Sequence, residues 1–351
     1  MSTPAVCYLL SNYRSHRRAG LDNRQALMDA GVRLVDDPGD AEIVVLHDEP
    51  WSYPGFLRAY PVLRERHVIA YAVWEPDRLP PDGLRRLGLV NEIWTSSSYC
   101  REIMQAAGRP VTIIPHIVAP AAPDRMASQA LRTQLGLDDS RFIFYTISKI
   151  EERKNIEAGI RAFARAFPDG GPAYVVKTPG DLPADLAAVP GVIAWSDLAG
   201  DSEIAALHDI GDCLVSPHCA EGWGLCMSDA MSNGNLVVAT GFSGNMEYMN
   251  DDNSLPVDFT LEVIRTPDTR ARFGFSTQEP RWAYVDEDDL CRKLRSAHYR
   301  WSDHDIRRAA AKASMTAFSA KAVGQRMVDR LTALSADQAE PGERLRLVRF
   351  G

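Results

Sequence analysis

Short apolar runs, each about as long as one buried strand, alternate along the chain with segments whose apolar positions recur every three to four residues. Such alternation marks parallel α/β layers, in which strands covered on both faces are apolar throughout and helices carry a single apolar stripe. In the first third the pattern predicts strands at Val6–Leu10, Ile43–Leu46, Val68–Val73, Glu92–Thr95 and Val111–Ile114, with helices over Asp22–Ala30, Phe56–Arg66 and Tyr99–Ala107. A Pro- and Ala-rich stretch from Ala119 to Pro123 breaks the rhythm and reads as a linker. The alternation restarts with strands at Phe142–Ile147, Tyr174–Lys177, Val192–Trp195, Cys213–Ser216 and Leu236–Ala239, and from Asp286 to about Ser335 the chain reads as mostly helical. Two doubly wound α/β halves facing a cleft are expected, with ligands beyond the carboxyl ends of the strands.

Composition sharpens this picture at a few points. A chain of 351 residues is too long for one ordinary core and suits two domains. The apolar content of 45% and charged content of 25% are those of a globular protein. A net charge of −8 argues against a general nucleic-acid binder, which needs a basic surface. The six cysteines form no CxxC pair, and Cys213, Cys219 and Cys226 lack a zinc spacing, so free thiols in a reducing cytosol are expected. The apolar run near the start is too short for a signal sequence, and no run approaches the roughly 18–20 residues that span a bilayer. A cytoplasmic location with at most peripheral membrane contact follows, and the basic last segment from Gly342 reads as a frayed tail in preference to a docking strand or a membrane-surface contact.

The richest stretch for chemistry runs from Ser216 to Asn250. It reads as a strand end, an acidic loop, a helix over Leu225–Ser232, a second buried strand, and a loop of small residues closed by Glu247. Gly222 and Gly224, on either side of Trp223, carry no Cβ and let the backbone come close to a ligand. N–H groups there and at the helix start near Leu225 suit hydroxyls or phosphate. Glu221 and Asp229 bracket this entry with seven residues between them, a spacing at which two carboxylates can hold the hydroxyls of two sugars. Ser243-Gly244-Asn245 forms either a nest of N–H groups for phosphate or a sugar hydroxyl, or a plain turn capped through Ser243 or Asn245. His218 is open to two readings, a phosphate or pocket ligand and a structural histidine.

This whole segment resembles the donor site of the family-4 retaining glycosyltransferases, whose architecture is GT-B, two Rossmann-like domains facing a cleft. Their pattern is a Glu, seven residues and a second Glu around a Gly-aromatic-Gly-Leu core. Ser243-Gly244-Asn245-Met246-Glu247 is similar to the loop of a subset associated with surface polysaccharides. Here the second acid is Asp229, one methylene shorter. The resemblance implies that Glu221 binds hydroxyls of the transferred sugar and Asp229 the ribose, with Gly222, Trp223, Gly224, Leu225, Ser243, Gly244, Asn245 and His218 around the donor. Family members also place an Arg and a Lys five positions apart on the donor pyrophosphate. Lys149 stands at the Arg position, and Lys154, within Arg153-Lys154-Asn155, at the Lys position. Fixed cations stabilise the charge that a leaving diphosphate gains, although Lys149 lacks the fork of an Arg. Read from the residues alone, the same segment is a charged first turn of the helix Ile156–Phe167.

In the first half, Trp74-Glu75 is read as ending a strand, and it resembles a Trp-Glu in relatives that share the Arg-Lys-Asn triplet. Glu75 is thus an acceptor-hydroxyl ligand or a strand-end acid facing water. Asn12 to Gly20 falls where many family members carry a glycine-rich phosphate loop. Arg14, His16, Arg17 and Arg18 replace it with side-chain cations that suit the donor or an anionic acceptor such as a lipid diphosphate. His116 is expected near the interdomain hinge. Asp286-Glu287-Asp288-Asp289 has the composition of a metal-holding DxD but reads as the acidic start of a helix. HExxH, GxSxG, P-loop and GxGxxG patterns do not occur.

The resulting expectation is a retaining, metal-independent hexosyltransferase with no cofactor beyond its nucleotide-sugar substrate, for which resemblance prefers GDP-mannose and leaves UDP-linked glucose or N-acetylglucosamine open. Its other partner is a glycan or lipid-linked acceptor of polysaccharide synthesis. Residues 1–120 form the acceptor-side domain, 121–128 the linker, 129–320 the donor domain, and 321–351 a helix and tail that by resemblance cross back to the first domain. The alternatives are another GT-B activity, such as an epimerase or phosphorylase, and an inactive paralogue that binds a glycan or a partner enzyme.

Overall fold

The computed structural model describes residues 3–12, 14–197 and 199–339. The chain forms two compact units, one of Met1–Ile117, Arg270–Gln278 and Ala317–Gly351, the other of Val118–Thr269 and Glu279–Thr316.

The first unit is built on a parallel sheet of β1 (Val6–Leu10), β2 (Leu34–Val35), β3 (Ile43–His47), β4 (His67–Tyr71), β5 (Glu92–Thr95) and β6 (Val111–Ile113), in the order β2-β1-β3-β4-β5-β6. Ile43 to Leu46 are buried on both sides of the sheet, as a continuous apolar strand requires. On one face Val323, Met327, Leu331 and Leu334 of the last helix, Ala320–Ala339, pack with Val6, Tyr8, Leu27 and Val45. Gly324 allows that helix to approach the helix Arg14–Asp29, since a Cβ there would stand 3.0 Å from the Ala26 carbonyl oxygen. Arg330 then donates to both oxygens of buried Glu92 at 2.9 and 2.7 Å, a two-pronged bond that anchors the helix to β5. On the other face Phe273 and Phe275 join Trp51, Trp74 and Leu79 in one apolar cluster.

The second unit carries β7 (Ile143–Ile147), β8 (Ala173–Lys177), β9 (Val192–Trp195), β10 (Cys213–Ser216), β11 (Leu236–Thr240) and β12 (Leu255–Val257), parallel and in the order β12-β11-β10-β7-β8-β9. An antiparallel hairpin of β13 (Phe259–Val263) and β14 (Arg281–Val285) follows. The helix Ile156–Ala166 buries Ile156, Ile160 and Phe163 against Phe144, Tyr174 and Val215.

Three local expectations are corrected. Strand β4 stops at Tyr71, so Trp74-Glu75 lies in the loop beyond it and does not end the strand. The stretch after β1 is not a loop of cations. A helix starts at Arg14, because Arg and Ala favour a helix and no Pro interrupts it. The single helix expected over 56–66 is a helix Tyr53–Ala59 and a separate 3-10 turn Pro61–Glu65, divided where Pro61 removes an N–H.

Candidate functional site

Strand order reverses in the second unit between β7 and β10. The chain moves outward from β7 to β8 and β9, then from β10 to β11 and β12 in the opposite direction. At such a switch point the two carboxyl-end loops diverge and leave room for a ligand between them. The loop after β7 tightens into a 3-10 turn, Glu152–Lys154, and Asn155 then enters the left-handed region at φ 49°, before the helix Ile156–Ala166 begins. Asn tolerates that conformation better than most residues with a Cβ. The loop after β10 meets this turn directly. Cys219 N–H donates to the Arg153 carbonyl at 2.7 Å, and Arg153 Nη1 donates to the Ala220 carbonyl at 2.9 Å. Arg153 Nη1 also lies 3.1 Å from Glu221 Oε1, the same oxygen that accepts from Lys154 Nζ.

The loop after β11 supports Glu221 from its other side. Ser243 Oγ accepts from Glu221 N–H at 2.8 Å, and Gly244 N–H donates to the Glu221 carbonyl at 2.8 Å. Ser243 holds φ 79°, a left-handed value unusual for a residue with a side chain. Gly244 is required because a Cβ would fall 2.1 Å from the Gly222 carbonyl oxygen. Of the readings left open for this loop, an N–H nest is thus partly pre-empted, since the Gly244 N–H is spent on Glu221. Ser243 likewise makes no side-chain cap to the turn that follows.

His218 is fully buried behind the same loop. Its Nε2 lies 3.3 Å from the Phe242 carbonyl and 3.1 Å from Asn245 Oδ1. Its Nδ1 lies 3.0 Å from Ser216 Oγ and 3.1 Å from the Ser216 carbonyl, so the ring bridges the loops after β10 and β11. Asn245 in turn donates to the Thr240 carbonyl at 3.0 Å. Burial pushes the His218 ring below the usual imidazole range, so a neutral histidine ties the loops together.

The charge of the site is concentrated on Glu221, which is 7% exposed. Burial alone would raise its carboxyl. The Lys154 ammonium and the Arg153 guanidinium outweigh burial and hold it at about 2. A buried, ionised carboxylate with two cations on one oxygen is held in place to accept hydrogen bonds from a ligand.

Gly224 takes φ 90° and opens the helix Leu225–Asn233, with half-buried Leu225 as its first residue. Buried Trp223 donates from Nε1 to Ser228 Oγ at 3.2 Å and stacks obliquely on Tyr248, with ring centres 4.7 Å apart. Tyr248 Oη donates to the carbonyls of Trp223 and Gly224, each at 2.9 Å, which clamps the turn. Asp229 is buried one turn into the helix. Burial first, then the charges of Glu221 and Asp229, raise the Tyr248 hydroxyl well above its usual range.

The structure therefore brings Glu221, Lys154, Ser243, Gly244, Asn245 and His218 into one bonded cluster, whereas Lys149 is exposed just after β7. In the first unit Trp74 is a core residue whose Nε1 donates to the Arg78 carbonyl at 2.7 Å. Glu75 is half-buried, its carbonyl accepting from Tyr99 Oη at 2.7 Å. Arg14 opens its helix, and its side chain lies outside the described residues. His116 is buried beside Tyr71 Oη, one residue before the end of the unit's first segment. Asp286 caps the helix Glu287–Tyr299 by accepting from Asp288 and Asp289 N–H groups. Among the described residues no group of three or more His, Cys, Asp or Glu could hold a metal ion. Sequence reasoning gave no role to Arg153, nor to Glu152 and Tyr284, whose 3.0 Å hydrogen bond buttresses the Lys154 turn from β14. The one available signal was that Arg153 directly precedes Lys154.

No protein-family model matches the chain, and no curated protein matches it in sequence. Solved structures do resemble it. A glycosyltransferase from Rickettsia africae gives a TM-score of 0.69 at 11% identity, over 95% of this chain and 99% of its own. HepE from Anabaena in complex with UDP-glucose gives 0.66 at 13% identity, over 94% and 100%. Sucrose-phosphate synthase from Thermosynechococcus elongatus gives 0.66 at 14% identity, over 95% and 100%. With two parallel six-stranded sheets, the chain has the GT-B fold.

Proposed function

We propose that the protein is a retaining glycosyltransferase of the family-4 type, moving a sugar from a nucleoside diphosphate to a hydroxyl of a glycan or lipid-linked acceptor in surface polysaccharide synthesis. The observation that carries this reading is the meeting of a cationic turn and a buried, ionised Glu221 at the switch point of the second unit. In the proposed reaction the bond from the anomeric carbon to the diphosphate breaks. The acceptor oxygen bonds to that carbon on the same face, and its proton passes to the leaving phosphate. Lys154, with Lys149 at the loop entrance, stabilises the charge developing on the diphosphate without a resident metal. Glu221 accepts from hydroxyls of the sugar, and Asp229 from the ribose. Trp74, Glu75 and Arg14 are assigned to the acceptor side.

The Arg153-Lys154-Asn155 and Ser243-Gly244-Asn245 resemblance favours GDP-mannose as donor, and HepE, solved with UDP-glucose, supplies the competing base to be tested. No helix of the described residues is long and apolar enough to cross a membrane, and we place the enzyme in the cytoplasm with at most peripheral membrane contact.

The direct test is incubation with GDP-mannose, UDP-glucose and UDP-N-acetylglucosamine, followed by assay of released diphosphate and of the anomeric configuration by NMR. Release from one donor, abolished by Lys154→Met and with configuration retained, is the expected result. An inverted product, or release that Lys154→Met leaves intact, overturns it.

A further inference from the structure

Lys154 and Arg153 share one oxygen of Glu221, but they are held very differently. Among the described residues the Lys154 ammonium hydrogen-bonds Glu221 alone, at the end of a flexible four-carbon stem. Arg153 is fixed three times. Its carbonyl accepts from Cys219 N–H, its Nη1 donates to the Ala220 carbonyl, and the same guanidinium meets Glu221. Arg153 is the better buried of the two, its side chain 15% exposed against 22% for Lys154. A diphosphate arriving at the switch point competes with Glu221 for a cation, and the mobile ammonium is the one able to leave. A buried carboxylate deprived of every cation would take up a proton and lose its capacity to orient a sugar.

We propose that Arg153 is a positioning residue that keeps Glu221 ionised and in place when Lys154 turns to the donor phosphates, so that phosphate and sugar are held by different cations of one turn. This rests on the donor-site reading given above. Among the described residues the other titratable groups that interact with Glu221 are His218 and Tyr248. Burial pushes the His218 ring down and the Tyr248 hydroxyl up, toward their neutral forms. Neither can replace the guanidinium.

The clamp can be read without any nucleotide. Lys154→Met mimics the loss of Lys154 to phosphate, and Glu221 is followed by NMR of carboxyl-labelled glutamate, assigned with Glu221→Gln. Glu221 should stay ionised at pH 6 in Lys154→Met, and its titration midpoint should rise by at least about one pH unit when Arg153→Gln is added. Arg153→Lys should restore part of that shift. An unchanged midpoint in the double variant overturns the proposal. If the double variant fails to fold, Arg153→Gln alone is titrated, and a midpoint equal to that of the wild type overturns it equally.

Calorimetry with GDP, UDP, ADP and dTDP, each with its sugar-bearing counterpart, gives the second readout. Arg153→Gln should bind the bare diphosphate as the wild type does. It should lose about tenfold of the sugar's added affinity at pH 5, recovering toward pH 8 as Glu221 ionises. Equal losses for diphosphate and diphosphate sugar make Arg153 a phosphate ligand and overturn the division of roles. A wild-type chain that binds none of these nucleotides overturns the donor-site reading, and the NMR titration then decides the hold of Arg153 on Glu221 by itself.

Discussion

Replacing Glu221 by Gln keeps the shape of the side chain and removes its charge. In the folded chain burial pushes the carboxyl up, yet Lys154 and Arg153 more than reverse that and hold it at about 2, against 4.5 when unhindered. Because the folded value is the lower one, the ionised form favours folding above pH 4.5, and this contribution fades as pH falls toward 2. It amounts to about 3 kcal/mol at pH 7 and roughly half of that at pH 3. Glu221→Gln lacks it at both, because an amide offers Lys154 and Arg153 no anion. Urea unfolding of wild type and variant should therefore differ by about 3 kcal/mol at pH 7, and that difference should shrink by about 2 kcal/mol at pH 3. Other groups titrating over the same range act on both proteins and cancel. A difference that stays constant between the two pH values, or a Gln variant as stable as the wild type at pH 7, would show that Glu221 is not held by the two cations.

Three further outcomes follow from the same geometry. Ser243→Ala loses the acceptor for Glu221 N–H and keeps the left-handed strain, whereas Ser243→Gly relieves the strain. Thermal unfolding should find the Ala variant the weaker by about 1 kcal/mol. Gly244→Ala drives a Cβ into the backbone of Gly222 and Glu221, and it should cost upward of about 4 kcal/mol or prevent folding, measurable as loss of soluble protein or of the unfolding transition. In the first unit, burial and then His16 lower His116 to about 3 from 6.5, so the neutral ring favours folding and the benefit is lost as pH falls below 6.5. His116→Gln should make the loss of stability between pH 7 and pH 5 smaller by about 2 kcal/mol, and an unaltered loss would contradict the assignment.

Short strands announce themselves as compact runs, and the mostly buried β1, β5 and β10 and the part-exposed edge strand β9 lie at the expected bounds. The two-residue β2 is too short to leave a pattern, and β13 is half-exposed and mixes Thr and Glu with its apolar residues, so neither was legible. The helix that opens at Arg14 was hidden because its first turns are polar and basic, with no apolar period to mark them. At the site, Glu221 and Lys154 could be picked out from the glycines and cations around them. Their union could not, because they are 67 residues apart and meet only through the neighbouring positions of β7 and β10. The clamp by Arg153 and the left-handed Ser243 depend on that same meeting and leave no local trace in composition or period.

The central claim, that the second unit holds a nucleoside diphosphate sugar between Lys154 and Glu221, is tested most directly by thermal unfolding with GDP, UDP, ADP, dTDP and their sugars, on wild type and Glu221→Gln. A ligand at a hundred times its dissociation constant stabilises the fold by about 2.7 kcal/mol. One nucleotide should stand out, with a further increment from its sugar that Glu221→Gln loses while the response to the bare diphosphate remains. A folded protein that responds to none of them, or a sugar increment that survives in Glu221→Gln, would contradict it.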